Sequence, residues 1–591
     1  MTPDQTTISL PGDDGWRRFS QRFDQIFDRT DGTLFADLET GPLTYAACRA
    51  EMLRLADRLR RAGIEPGDRI IVHCDQARRA IVLFLAMLRS GITPVMADAA
   101  ATDAELSELV GLCRARALVT DGVSGEAELR LFAPDGSIDR LRLEEDRDGA
   151  PPDRFADPQD VPQVAVLVLT SGTTSAPKAI ELTFANLVAQ LDIFHEVYGF
   201  DETSRLFNLL PLHHVDGLIR GPLTAIWFGG SLHRPMRFSV QAVPAILDYV
   251  RNGRVTHFIS VPAMLRIVHR VGRDRASVFD APEFRFVLSS ADLLDEGLWE
   301  AFEDTFGVPV VNAYGLSEVV CDAIFAGPDG ATRRRGSLGR PVGCKAMVLD
   351  AHDQPVAPGA PGELVLSGPI VMRGYFDAPE ETAKVLRNGR FYTGDIVRVD
   401  PDGLFRFVGR KKTAIVSAGK TIHPETATQV LTAMPGVAEA YAFGVPDPTM
   451  GERLVAAIVP APDAVIRPED VAAYCRSQLS SERSPREFFI VDALPRTPSG
   501  KVMAGHLQAM YARPTPDAPD VLEVAARCFN LPVTELSLQS TPFNTEGWDS
   551  LAHIELIDSL EEAFDIQFSA LQITQIMSLG DALRAIEENL A

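Results

Sequence analysis

Residues 164–169, Val-Ala-Val-Leu-Val-Leu, form an unbroken aliphatic and β-branched run, and they lead directly into Thr170-Ser171-Gly172-Thr173-Thr174-Ser175-Ala176-Pro177-Lys178. Such a run, bounded by turn-forming residues, reads as a buried strand. The segment after it offers hydroxyls and free backbone N–H groups that can wrap an anion, and Lys178 adds a point charge. A strand emptying into a phosphate-wrapping loop requires an α/β sheet with its loop ends open to a ligand. The loop is not the Walker pattern, because no glycine precedes Lys178 and Ala179 stands where that motif needs Ser or Thr. Taken alone, the stretch also fits a solvated surface turn.

Four further motifs follow in order. They are Tyr314-Gly315-Leu316-Ser317-Glu318, Tyr392-Thr393-Gly394-Asp395, Gly409-Arg410-Lys411-Lys412 and Pro495-Arg496-Thr497-Pro498-Ser499-Gly500-Lys501. Together with the loop they resemble the adenylate-forming superfamily, which includes acyl-CoA and aryl-CoA synthetases, luciferases and the adenylation domains of nonribosomal peptide synthetases. The resemblance covers about residues 40–505. Ser175 and Ala179 replace the usual glycines, Phe184 replaces a frequent His, and Ser317 replaces the usual Thr. These small or peripheral departures bear on rate and substrate preference more than on reaction class.

At 591 residues the chain exceeds one core and predicts three to five structural units. Its longest apolar run, residues 80–88, is too short to span a bilayer, and its polar start lacks an apolar signal core. No membrane partner is expected. Seven cysteines without metal-ligand spacing suggest reduced thiols and a cytoplasmic location. A net charge of -24 argues against nucleic acid as a partner. Half of that charge lies in residues 517–591, which hold fourteen acidic residues against two arginines.

Along the chain, residues 1–40 read as a polar, mixed leader that packs on the first domain, with an amphipathic piece near 16–27. From residue 44 the pattern alternates: helix 45–62, strand 69–73, helix 77–89, strand 93–97, helix 103–115, strand 117–120. Alternation predicts a largely parallel α/β sheet. Residues 210–217, Leu-Pro-Leu-His-His-Val-Asp-Gly, end a strand in polar residues, and Ser289-Ser290-Ala291 and Asn312-Ala313-Tyr314-Gly315 follow two more apolar runs. Strand ends are where open α/β sheets place ligands. Beyond residue 336 the spacing tightens into short strands, at 346–349, 363–366, 396–399 and 404–408.

The expected architecture is α/β. It comprises an N-terminal adenylation domain (1–408) with parallel sheets and a small β-rich subdomain, a mobile α+β lid (409–511), a linker (512–519) with three prolines in eight residues, and an all-α four-helix carrier (520–591). The last unit has helical periodicity, acidity and Gly547-Trp548-Asp549-Ser550-Leu551 at the start of its central helix. It resembles an acyl or peptidyl carrier protein in which Ser550 accepts 4'-phosphopantetheine. Read structurally, Asp549-Ser550 is also an ordinary helix N-cap pair.

The resemblance implies roles. ATP would lie on Thr170, Ser171, Gly172, Thr173, Thr174 and Lys178, with Ser290, Ala291, Asn312, Ala313, Tyr314, Gly315 and Ser317 around the adenine. Asp395 would accept the ribose hydroxyls, with Arg410 as an added donor. Glu318 would hold Mg2+, Lys501 would be the catalytic cation, and Lys412 the hinge. His214 would act at the acid, in a pocket with His213, Val215 and Asp216. Amino-acid-activating relatives carry an aspartate at the position matching Val215, whereas here it comes one place later at Asp216. A non-amino acid is therefore favoured, and an amino or β-amino acid stays open. Arg220 reads as a solvated helix residue or as a contact for a second carboxylate.

The implied reaction is ATP-dependent activation of a carboxylic acid as an acyl adenylate, followed by transfer to the thiol on Ser550, in a loading or starter module of polyketide or nonribosomal peptide secondary metabolism. Partners would be the acid, a phosphopantetheinyl transferase and a downstream synthase domain. An acyl-CoA ligase with an appended carrier is the alternative. The run Arg333-Arg334-Arg335 would either dock an acidic carrier or lie solvated.

Overall fold

The computed structural model describes residues 14–590 except 31, 122–126, 133–137, 143–151, 159–162, 171–176, 418–419, 448–450, 462–463, 465, 480–483, 486, 497–501, 512–520, 530, 546, 549 and 565. Two large sheets form the N-terminal part. One has eight strands, including the parallel set Val164–Thr170, Thr93–Met96, Arg69–His73 and Ala117–Asp121. The other has nine. Six of its strands run parallel, in the spatial order Val310–Tyr314, Phe286–Ser289, His257–Ser260, Arg205–Asn208, Ser231–Arg234, Leu34–Leu38. Their carboxyl ends share one edge, the edge where open parallel sheets gather ligands.

The alternation read from the sequence is present, with helices Tyr45–Arg61, Ala77–Arg89 and Asp103–Cys113 between strands. Side chains start them. Thr44 accepts from the Ala47 N–H at 3.1 Å, and Thr102 with Glu105 makes a reciprocal capping box. In Ala77–Arg89 every side chain from Ala80 to Arg89 is buried, as befits a helix apolar all round.

The N-terminal segment packs on the first domain as the leader reading expected, and adds a strand that reading did not name. Residues 14–29 form the helix Asp14–Arg29, whose Trp16, Phe19, Phe23, Ile26 and Phe27 are buried at helical spacing. Burying each such side chain stabilises by about 1.5–3 kcal/mol. Arg89 clamps this helix through Asp24, at 2.9 and 2.7 Å. Leu34–Leu38 is then an integral strand of the nine-stranded sheet, with Leu38 opposite Arg234.

The short strands Lys345–Leu349, Gly362–Ser367, Arg390–Val399 and Phe405–Arg410 form the β-rich subdomain, joined by Leu386–Arg387. Beyond it a second five-stranded sheet, containing Val437–Asp447 and Gly451–Pro460, packs with helices Pro424–Thr432, Pro468–Gln478 and Ala504–Tyr511. This is the α+β lid. The C-terminal unit holds the helices Val521–Phe529, Ser550–Phe564, Ala570–Gln575 and Leu579–Leu590. The proline-rich linker lies outside the described residues.

The C-terminal unit docks on the helix Pro262–Gly272. There Arg270 bonds Asp558 and, at 2.6 Å, Glu561. Arg266, four residues earlier, meets Asp295 at 3.1 Å and the lid's Glu439 at 3.3 Å, so one helix contacts both C-terminal units. The Arg333-Arg334-Arg335 run is not the dock. Those arginines pair with Glu300, Glu303 and Asp402 of the N-terminal part.

Inside the docked unit, Trp548 stacks on Phe529 at 4.6 Å and donates its indole N–H to Nδ1 of His553 at 3.1 Å. Burial lowers the His553 pKa to about 4. The unfolded chain takes up this proton from about pH 6.5 downward, the folded chain only near 4, so the neutral ring's contribution is complete above pH 6.5 and lost as pH falls toward 4. We predict a loss of up to about 2–3 kcal/mol in the stability of this unit between pH 7.5 and 4.5, read from hydrogen exchange of its amides. The His553→Gln protein should show a flatter profile; an equal pH dependence would refute the assignment.

Candidate active site

A cavity of about 930 Å3 opens along the shared strand edge. Its wall includes Leu210 to Asp216, Gly315 to Glu318, Asp395, Arg410 and Lys412, which joins four of the motifs read from the sequence.

Register builds the first corner. Asp395 and Arg410 lie directly opposite each other on antiparallel strands. The Asp395 side chain is only 2% exposed, and it accepts from Arg410 Nε at 2.9 Å and from the Tyr314 hydroxyl at 2.6 Å. Burial, with Asp395 adjacent, raises the Tyr314 pKa well above the ordinary phenol range, so the ring stays neutral and donating. Asp395 raises that of Arg410. Gly315 follows because a Cβ there would sit 1.5 Å from the Cys321 carbonyl oxygen. No residue with a side chain fits this turn. Ala291, at φ 70°, lines the same cavity, whereas Ser290, Asn312 and Ala313 are buried in the strand ends behind it.

Glu318 occupies the second corner, in the turn Ser317–Val319, and accepts from the Tyr375 hydroxyl at 2.9 Å. Lys178 lies over the Tyr375 ring at 5.0 Å and bonds Glu381 at 2.6 Å. With Lys178 and Lys384 beside it, Glu381 has its pKa lowered to about 2. Lys178 therefore has a carboxylate partner that the loop reading did not foresee. Tyr375 and Glu381 were missed because they come from segments distant in sequence. Thr170 pairs with Lys178 across the hairpin whose turn is the predicted phosphate loop. Ser171, Gly172, Thr173 and Thr174 lie outside the described residues, as do Gly419 and Lys501.

The third corner is the acid end. The His213 and His214 rings lie 4.5 Å apart, tilted by 46°, and burial lowers the His213 pKa despite Asp98 at 3.8 Å. Both rings line the cavity, with Val215 and Asp216. Gly217 is required where it stands, since a Cβ would meet the Pro211 carbonyl oxygen at 2.0 Å. Asp216 bonds Arg220 at 2.8 Å and accepts from the Ser290 hydroxyl at 3.1 Å. Arg220 is not solvated, as its side chain is 1% exposed and it also bonds Asp322 at 2.6 Å. Asp322 accepts from Tyr198 at 3.1 Å, and burial pushes its pKa up to about 6. An arginine one turn into a helix gives no hint of a partner 102 positions away.

The carrier-like unit supplies the last wall: Thr545, Gly547 and Trp548 line the same cavity. Ser550 follows at the start of its helix.

Comparison with known families settles the class. Residues 25–376 match the AMP-binding enzyme model, 429–501 the AMP-binding enzyme C-terminal domain, and 519–586 the phosphopantetheine attachment site. The chain belongs to the AMP-binding enzyme family. It is an ATP-dependent, AMP-forming ligase that activates an acid and carries a C-terminal carrier domain with a phosphopantetheine attachment site. An oxalate–CoA ligase of Arabidopsis thaliana is 31% identical over 477 residues, covering 78% of this chain and 92% of the relative. A feruloyl-CoA synthase of Amycolatopsis sp is 31% identical over 484 residues, covering 79% and 94%. The crystal structure of ATP-bound MatB from Rhodopseudomonas palustris superposes with a TM-score of 0.72 at 26% identity, covering 83% of this chain and 99% of that one. Among the described residues, no helix is long and apolar enough to cross a membrane.

The Asp216–Arg220–Asp322 group gives a stability prediction. Removing the shared cation should leave two carboxylates facing each other in a buried site, at a cost of about 3–5 kcal/mol. Arg220→Met is expected to lower the urea midpoint of the N-terminal part accordingly, and adding Asp322→Asn should recover part of the loss. Strict additivity of the two changes would show that the groups are not coupled.

Proposed function

We propose that this ligase loads its own carrier. It would activate a non-amino carboxylic acid as an acyl adenylate and pass the acyl group to the thiol carried on Ser550. The observation that supports this most is the carrier's position, with Thr545, Gly547 and Trp548 on the wall of the cavity that also holds Asp395 and Glu318. A tethered carrier also has a high effective concentration at that cavity.

In the first step an oxygen of the acid attacks the α-phosphorus of ATP, and pyrophosphate leaves. Two anions meet, so positioned cations govern the rate. Lys501 is proposed as the cation between carboxylate and α-phosphate, and His214 as a guide for the acid. The fit for the nucleotide rests on the buried Asp395 carboxylate, held by Arg410 and Tyr314 and facing the cavity, which suits a vicinal diol. Magnesium is held in such sites through one or two carboxylates together with substrate phosphates, and Glu318 on the wall is suited to that task. It would supply neutralisation of the phosphate charge. For the second step Ser550 would hold the phosphopantetheine, which would supply a thiol nucleophile for the acyl group, with AMP as the leaving group and the thiol proton passing to solvent. We assign Lys412 as the hinge that turns the lid between steps, and a downstream synthase domain as the consumer of the thioester. We propose with this a role as a loading module in polyketide or nonribosomal peptide assembly.

The non-amino preference is supported by Asp216, whose carboxylate is engaged by Arg220 and Ser290 rather than presented to an ammonium group. A second reading, a coenzyme A ligase with an appended carrier, is favoured by the names of the relatives. Holo protein made with a phosphopantetheinyl transferase, given ATP, Mg2+ and pooled acids, should gain one acyl mass on Ser550. Lys501→Ala should slow this by about 10^2–10^3-fold. Rapid turnover of free coenzyme A by Ser550→Ala, with no adduct on the parent protein, would favour the second reading.

A further inference from the structure

Arg234 ends the parallel strand Ser231–Arg234, on the edge where the ligand-facing loops gather, and lines the active-site cavity. Its Nη1 donates to the carbonyl oxygens of Asn208, at 2.6 Å, and Leu210, at 2.9 Å. These two bonds pin the guanidinium to the segment that goes on to His213 and His214. Its Nε is buried without a hydrogen-bond partner, and among the described residues no carboxylate lies within ion-pair distance of the group. The nearby acids are already engaged. Arg237, three residues on, bonds Asp75 at 2.8 Å and Glu39 at 3.4 Å. Burial lowers the Arg234 pKa to about 10, which leaves it a cation at neutral pH. A half-buried guanidinium, oriented by carbonyl oxygens and with Glu39 acting on it only from beyond ion-pair distance, is a partly unmet electrostatic demand, and a planar oxyanion meets it with short charge-assisted bonds.

The sheet order locates this demand relative to the chemistry. From the strand ending at Ser289 to the one ending at Arg234 there are three strand spacings, roughly 14 Å at the usual separation. Arg234 is therefore remote from the adenine-side strand ends, beyond His213 and His214.

We infer that Arg234 binds a second anionic group on the acid, so that the substrate class is a carboxylic acid with a distal carboxylate or other oxyanion. The inference rests on the ligase reading and adds the charge of the acid to it. One end of the substrate is activated, and the other is held by the guanidinium. A substrate of this kind also remains anionic after its first carboxylate has become a thioester.

The test compares dicarboxylic acids of two to eight carbons with their monomethyl esters, which keep the size and lose one charge. Sulfo-carboxylic acids form a third arm, separating a carboxylate requirement from a general oxyanion one. Adducts on holo protein and pyrophosphate release are read for each. At least one dianionic acid is expected to exceed its singly charged counterpart by about 10- to 100-fold in kcat/KM. Arg234→Met should collapse that ratio by lowering the dianionic rate far more than the ester rate, whereas Arg237→Met should preserve it. Equal use of diacids and monoesters, or an equal loss on both with Arg234→Met, overturns the inference. The ratio is measured on the unaltered protein, so it decides even where the variant fails to fold. Pyrophosphate release with singly charged acids alone overturns this inference and leaves the ligase reading standing. No release with any acid removes both.

Discussion

One constraint places much of the cavity wall in this protein, that parallel strands end on the same side. In the nine-stranded sheet, Tyr314, Ser289, Ser260, Asn208, Arg234 and Leu38 all close strands that run the same way. Hydrogen-bonded register leaves those ends no freedom to disperse. The backbone turns there, and side chains that would be scattered over nearly three hundred positions form one wall. The antiparallel pairing of Asp395 with Arg410 brings a second sheet to the same place.

On that wall, charge is arranged in partnered sets. Asp395 is satisfied by Arg410 and Tyr314, Glu318 by Tyr375, and Asp216 and Asp322 share Arg220. Burying charges is costly, and neighbouring opposite charges offset much of that cost. The sets also hold their members in single orientations, which is what a reaction between two anions needs. Arg234 departs from this pattern, being oriented by carbonyl oxygens instead of an acid.

The carrier adds a wall of a different kind, because it meets the ligase through polar contacts between side chains. Arg270 pairs with Asp558 and Glu561, and Gln241 lies beside His553 at 3.3 Å. Arg266 and Arg270 sit one turn apart on the same helix, so lid and carrier share a dock.

Much of this was legible in the sequence. The strand 69–73 and helix 77–89 coincide with the observed elements, because hydrophobic period and flanking turns are local properties. The motifs at 314–318 and 392–395 both contribute residues to the cavity wall, because glycine turns and strand ends are also local. The residues that were missed depend on contacts between distant segments. Leu34–Leu38 is a strand because Ser231–Arg234 lies beside it, and Arg220 is buried because Asp322 comes to it. Lys178 meets Glu381 across 203 positions. Nothing in the neighbourhood of an isolated arginine tells whether water, an acid or an open cavity surrounds it. The sequence by itself determined the family, the order of the domains and the chemistry they carry, since these reside in motifs of a few adjacent residues. Only the tertiary structure decided which charges are partnered and which cation lines the cavity without an ion pair, since an ion pair is set by distances that chain order does not encode.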